Sequence, residues 1–305
     1  MDKIEQTLLE QIADLHGVPQ GAYNIRVNSQ LDSRAVTANI NIVSKTDVSG
    51  IDIYVAPGTK NESLHIPVIL SKSGLKETVY NDFHIGEDCR VTIVAGCGIH
   101  NAGDQTSEHS GIHTFFIGKN SVVRYVEKHY GTGDGNGKRV MNPTTVVHLD
   151  ENASLEMEMV QIKGVDSTIR QNKADLKANS SLTIKESLMT HGHQTAESNF
   201  TIELNGENTH VNLVSRSVAR DFSHQTFRSE IIGNNACSGH SECDAIIMDH
   251  ASVSAIPELT ANSLDAELIH EAAIGKIAGE QLTKLMTLGL TEKEAEEQII
   301  NGFLK

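Results

Sequence analysis

The chain has 305 residues, a formal charge of −15, 38% apolar side chains, 4% aromatic residues and no Trp. That length and apolar content suffice for a sizeable core, and the acidic balance excludes a phosphate-backbone binder, which needs clustered Lys and Arg to displace counterions. No apolar run approaches the ~18 residues of a membrane span and the N-terminus is acidic and amphipathic, so the expected setting is the cytoplasm, with neither nucleic acid nor membrane as partner.

In chain order, residues 2–16 come first, with Ile4, Leu8, Ile12 and Leu15 at helical spacing, Gly17 as a C-cap and Pro19 as a stop. A short N-terminal helix within 1–20 follows from this. The middle of the chain repeats a phrase of an aliphatic residue, turn formers including Asn, and a strand start. The turn residues Asn120, Asn152, Asn179, Asn208, Asn235 and Asn262 fall at intervals of 32, 27, 29, 27 and 27 residues. Between them, as in Ser154-LEMEMVQI and Ser181-LTIKESLM, side chains alternate with the period of two that strands require. Asn suits the turns because its amide bonds nearby backbone and tolerates left-handed angles. Units of this size with two main strands stack as coils of a parallel β-helix over 21–274; an antiparallel β-sandwich is the alternative. From 275 to 305 the pattern is helical again. Ile277, Leu282 and Leu285 form one face, Gly289-Leu290 interrupts it, and a Thr291/Glu294 capping box precedes Ala295, Ile299, Ile300 and Phe303. This C-terminal helical hairpin either covers the last coil against edge pairing or offers a docking surface.

Cys89, Cys97, Cys237 and Cys243 are too few to staple such a chain and are expected reduced. Cys243 in GHSECDAIIMD precedes Glu271 in AELIHEAAIGKI by 28 residues, close to the repeat. Cys243 lies eight residues after Asn235 and Glu271 nine after Asn262, so the two are expected on neighbouring rungs ~4.8 Å apart; a one-residue slip would reverse the face unless a bulge absorbs it. Thiolate is a soft ligand, whereas carboxylate and imidazole exchange more readily, so mixed ligation suits a transient site. Cys237 is close in sequence to Cys243 and is a candidate extra ligand in a homodimer, while Cys89 reads as a coil-filling thiol. The run Gly131-TGDGNGKR departs from the P-loop pattern at Arg139, where Ser or Thr is required, and reads as a mobile loop. The histidines at 100, 109, 113, 191 and 193 read as chance clusters among 15.

The segments Asn142-PTTVVHLDENASLEMEM, Ser215-RSVARDFSHQTFRSEI, Cys243-DAIIMD, Ile269-HEAAIGKI and Gln281-LTKLMTLGLTEKEAEEQIINGF, with a weaker echo at Val94-AGCGIH, resemble the SufB/SufD family of iron-sulfur cluster assembly proteins. The resemblance implies a right-handed parallel β-helix with a C-terminal helical region that engages SufC, an ABC-type ATPase. It is closer to SufB because the E-C-D cysteine and the H-E-A segment are both kept, although Ile269 stands where SufB proteins commonly carry a further Glu. The family pattern implies Cys243, Glu271 and His270 as ligands of a transient iron-sulfur cluster, and Cys97 as acceptor or relay of sulfur from a donor protein or sulfide. A short SufB-like chain resembles minimal systems in which one protein fills both roles, which implies a homodimer. The expected function is a non-enzymatic scaffold. The alternatives are a carbohydrate-active β-helix enzyme with paired acids across coils, against which the lack of Trp counts, and a structural module that binds a partner without metal.

Overall fold

The computed structural model describes residues 1–13 and 19–305. Helix α1 (Lys3–Ala13) is followed by β1 (Ala22–Val27), β2 (Gln30–Ala35), β3 (Ile40–Ser44), β4 (Gly50–Val55), β5 (Lys60–Leu70), β6 (Lys76–Ile85), β7 (Arg90–His100), β8 (Ser107–Ile117), β9 (Val122–Thr132) and β10 (Arg139–Met141). Then come β11 (Thr144–Leu149), β12 (Ser154–Lys163), β13 (Ser167–Leu176), β14 (Ser181–Thr190), β15 (Thr195–Leu204), β16 (Thr209–Ala219), β17 (His224–Gly233), β18 (Cys237–Ile247), β19 (Ser252–Ala261), β20 (Ala266–Gly275), α2 (Gly279–Thr287) and α3 (Glu292–Phe303). Strands make up 59% of the chain and wind into a β-solenoid of about 8 turns. One sheet runs β2-β1-β5-β7-β9-β12-β14-β16-β18-β20 and the other β19-β17-β15-β13-β10-β8-β6-β4-β3.

The coils stack because every second side chain points inward and must be covered by the coil above and below. In β14, Leu182, Ile184, Glu186 and Leu188 are buried while Thr183 and Lys185 are not. The inward rows join into one long core that includes Ile53, Phe83, Phe115, Tyr125, Met157, Ile184, Leu213 and Ile231. The turns set the register: Asn120, Asn152, Asn179 and Asn208 all have φ between 56° and 59°, the left-handed conformation that Asn tolerates. Their amides also ladder from coil to coil, Asn152 donating to Asn120 at 3.0 Å and Asn208 to Asn179 at 3.2 Å.

Asn235 and Asn262 depart from this expectation. Neither has positive φ, and Asn262 donates to Asn234 rather than to Asn235, at 2.7 Å. The Gly131–Arg139 run stacks on the coil below it. Gly135 and Gly137 donate backbone N–H groups to Asn101 and Gly103 of the coil below, and a Cβ at Gly137 would lie 2.2 Å from the Gln105 carbonyl oxygen. The glycines serve backbone-to-backbone stacking.

The two ends of the stack differ. At the start, β2 and β3 pair antiparallel with β1 and β4, and Arg34 bridges the sheets by donating to Asn24 and Ser44. Helix α1, opened by a reciprocal Asp2/Glu5 cap, buries Leu8, Leu9 and Ile12 over β7, where a Cβ at Gly98 would stand 3.1 Å from that of Leu8. The helix was expected to use Ile4 and Leu15; Ile4 is exposed, and Leu15 and Gly17 lie outside the described residues. At the far end β19 and β20 are the unpaired edges of their sheets. Pro257 sits in β19, where a missing N–H costs least. The C-terminal helices do not cover this edge. Helix α3 lies along the outer side of the first sheet, the Ser187 hydroxyl donating to the Leu304 carbonyl at 2.9 Å and Arg220 facing Glu296 at 3.8 Å. The Thr291/Glu294 capping box is present, and α2 buries no residue.

Candidate functional site

The last two rungs of the first sheet, β18 and β20, carry Cys243, His270 and Glu271 in parallel register without a bulge: Ser241 faces His270, Glu242 faces Glu271 and Cys243 faces Ala272. Odd positions of β18 point inward and even positions outward. Cys243, 1% exposed, is therefore inside the solenoid, while Glu271 stands outside with 68% of its side chain exposed. The expected shared pocket for Cys243 and Glu271 is not formed within one chain. The reason is one residue: the turn into β18 has three residues, Asn234 to Ala236, and the turn into β20 has four, Asn262 to Asp265. A separation of 28 against a local coil of 29 residues reverses the face.

His270 rather than Glu271 shares the inner face with Cys243. It stands one rung away and two positions back, about 8 Å by strand geometry, and its Nδ1 is buried without a hydrogen-bond partner. Cys237 points inward on the same strand, and six residues of extended chain put it about 20 Å from Cys243 within one chain. Cys89 fills the core at a corner as expected, its thiol donating to the Ala56 carbonyl at 3.2 Å.

Cys97 is inside β7, beside His129 of the next rung. All four cysteines are free and buried. Burial, with Glu77 and Glu127 nearby, pushes the Cys97 thiol well up, and burial with Glu186 and Asp244 pushes that of Cys243 up to about 12. Both are neutral thiols at physiological pH, poor nucleophiles until a proton is removed.

A polar column missed by the repeat pattern occupies the space between these two cysteines. His113 Nδ1 bonds the Tyr125 hydroxyl at 2.8 Å, and Tyr125 donates to Glu127 at 3.0 Å. Glu127 is paired with Arg170, whose Nε lies 3.6 Å from Glu186. Glu186 accepts from Ser198 at 2.6 Å and from Ser215 at 2.7 Å, and Ser215 faces Cys243. The Glu127 carboxyl is held well below its usual range, burial being outweighed by His129, Arg170 and His113, while burial pushes both His113 and His129 down to about 4. The signal for this column was in the alternation itself: Glu186 and Arg170 occupy the inward phase of their strands. His109 and His113 share that inner face four residues apart in β8.

The outer side of β18 and β20 has its own cluster. His240, Glu242 and Glu271 present ligand atoms within 4.8 Å of one another. Burial and Asp244 raise the Glu242 carboxyl, with Arg216 at 4.0 Å. The site thus has a soft inner face and a hard outer face.

The family profile described as SUF system FeS cluster assembly, SufBD core domain matches residues 73–303. The chain is 28% identical over 264 residues to an iron-sulfur cluster assembly SufBD family protein of Archaeoglobus fulgidus, covering 85% of this chain and 69% of the relative. It is 27% identical over 297 residues to one of Pyrococcus horikoshii, covering 97% and 84%. With the iron-sulfur cluster assembly protein SufB of Bacillus subtilis it shares 29% identity over 264 residues, 84% of this chain but 55% of that protein. No helix among the described residues is long and apolar enough to cross a membrane. With the core profile spanning most of its length, the chain belongs to the SufBD family of the SUF iron-sulfur cluster assembly system.

Proposed function

We propose that this protein is a cytoplasmic scaffold, not an enzyme, on which an iron-sulfur cluster is built as cargo at the interface of two copies. ATP hydrolysis comes from an associated SufC-like ATPase docked on the C-terminal helices. The observation that carries the reading is the uncovered last turn. β19 and β20 leave their edges unpaired, with Ile256, Leu264 and Ile269 exposed, one rung beyond Cys243. An edge of that kind invites a second strand. In a homodimer, Cys243 and His270 of one copy and Glu271 of the other approach the same seam, which reconciles the family's ligand set with the opposed faces inside one chain. The helical hairpin, whose α2 buries no residue, supports ATPase docking.

Sulfur enters this reading through Cys97. A donor persulfide passes its outer sulfur to a thiolate, the S–S bond breaking as a new one forms and the donor leaving as thiol, with no net redox change. Because Cys97 is buried and neutral, the step requires opening of the coil beneath α1.

Anaerobic copurification with the ATPase, followed by iron and sulfide analysis and reconstitution, is the test. Wild type is expected to develop iron-sulfur absorption that Cys243→Ala and Glu271→Ala both diminish, and Leu264→Glu with Ile269→Lys is expected to give monomers without it. Unchanged spectra in the first two variants would remove those residues from the site; unchanged size in the third would remove the edge from the interface.

A further inference from the structure

His240 and Glu242 have no part in the ligand set described so far, yet they sit with Glu271 on the outer face of the last two rungs. Strand alternation brings them there: His240 and Glu242 are two residues apart on β18, and Glu271 faces Glu242 from β20. Exposure is graded, 22% for the Glu242 side chain, 33% for His240 and 68% for Glu271, so the cluster is held by the sheet on one side and reached by solvent on the other.

The orientation of His240 points to a cation. Its Nδ1 lies 2.9 Å from the Asn212 side-chain oxygen one rung below. An amide oxygen only accepts, so Nδ1 is the donor of this bond and Nε2 is the ring nitrogen turned away from it. That nitrogen lies 3.5 Å from Glu271 Oε2. With Glu242 in reach as well, the three side chains converge their ligand atoms on one point. Fixing one ring nitrogen through a carbonyl so that the other can ligate is the arrangement that orients metal-binding histidines. Glu242 adds a second carboxylate and Asp244, in hydrogen-bond contact with it, a third; the guanidinium of Arg216 stands off at 4.0 Å.

We propose that His240 Nε2, Glu242 and Glu271 form a site for a divalent first-row transition cation on the outer face of β18 and β20, separate from the inward thiol of Cys243. One imidazole and two carboxylates suit Fe(II), Mn(II), Co(II) or Zn(II) better than the all-oxygen shells of Mg(II) or Ca(II), and better than soft Cu(I). The remaining coordination positions open to water, so the ion exchanges. Only the choice of Fe(II) as the physiological ion rests on the scaffold reading: iron would wait on the hard face of the same two strands whose soft face holds the thiol.

Anaerobic titration of the full-length protein with Co(II) tests this. Wild type is expected to bind one equivalent with weak d–d absorption and no intense thiolate-to-cobalt band, with Fe(II) competing. His240→Ala and Glu242→Gln are each expected to lower affinity at least tenfold, Asn212→Ala by about tenfold or more through loss of the ring's orientation, and Cys243→Ser not at all. Arg216→Ala is expected to tighten binding by removing a competing charge. Circular dichroism and thermal melting matching wild type establish that the outward-facing variants remain folded. Unaltered affinity in both His240→Ala and Glu242→Gln, or a strong charge-transfer band that Cys243→Ser abolishes, would overturn the proposal. A Co(II) site that behaves as stated in a protein that never reconstitutes a cluster would overturn the scaffold reading and leave this one standing.

Discussion

Glu242 stands directly opposite Glu271 across the β18–β20 ladder, and the next residue, Cys243, in register with Ala272, is buried on the inner face. Two chemistries are therefore separated by the thickness of a single sheet. This gives a direct check by thiol labelling. Native Cys243, buried with its thiol pushed up to about 12, is expected to react with iodoacetamide at pH 8 at least about 100-fold more slowly than a cysteine placed at the outer position by Glu242→Cys in a Cys243→Ser background. Equal rates would mean that the register is wrong.

The pair Glu127–Arg170 lies wholly inside the stack, each side chain about 4% exposed. Breaking such a pair leaves one charge buried without compensation, which costs about 3–5 kcal/mol. Arg170→Met should therefore lower the urea midpoint sharply, and Arg170→Met combined with Glu127→Gln should recover part of the loss, Glu186 still lacking its guanidinium. If the double variant is no better than the single, the cost lies in packing and not in the orphaned carboxylate.

Acid should weaken the fold before carboxylates as a class titrate. His113 and His129 are buried neutral, their folded values near 4 against 6.5 for a free ring. Between those values the unfolded chain binds more protons than the folded one, so stability is fully present above about pH 7 and falls as pH drops toward 4, by up to about 3 kcal/mol for each ring. Chemical denaturation at pH 7.5 and 5 should show this difference, and His113→Gln should reduce it. A flat profile would mean the rings titrate normally.

At the turns, Asn179 has φ 57°. Asn179→Gly should cost little, because glycine adopts that angle freely, whereas Asn179→Ala should cost about 1 kcal/mol. Thermal melts of the two variants compare them, and equal losses would assign the role of Asn179 to its amide ladder with Asn208 and not to its backbone angle.

The coil architecture was readable because the turn asparagines and alternating strands are local signals, each written within a few residues. The site was readable in its residues but not in its arrangement. Counting from Asn235 and Asn262 treats the two turns as alike, whereas the chain stacks Asn262 on Asn234 and spends an extra residue before β20. A period of two amplifies that single residue into a change of side. The interior column escaped notice for a related reason: Glu127, Arg170 and Glu186 are charged types that usually face water, and only their phase in the alternation marks them as internal. The outer pair His240 and Glu242 had the same phase signal, within the stretch already singled out for Cys243.

The stacking of coil on coil has a consequence for how such proteins diverge. Each circuit rests only on its neighbours, so complete circuits can be gained or lost in the middle while the terminal pair of strands travels unchanged. Relatives of quite different size can then keep the same working tip, and the length of the barrel beneath it becomes free to vary.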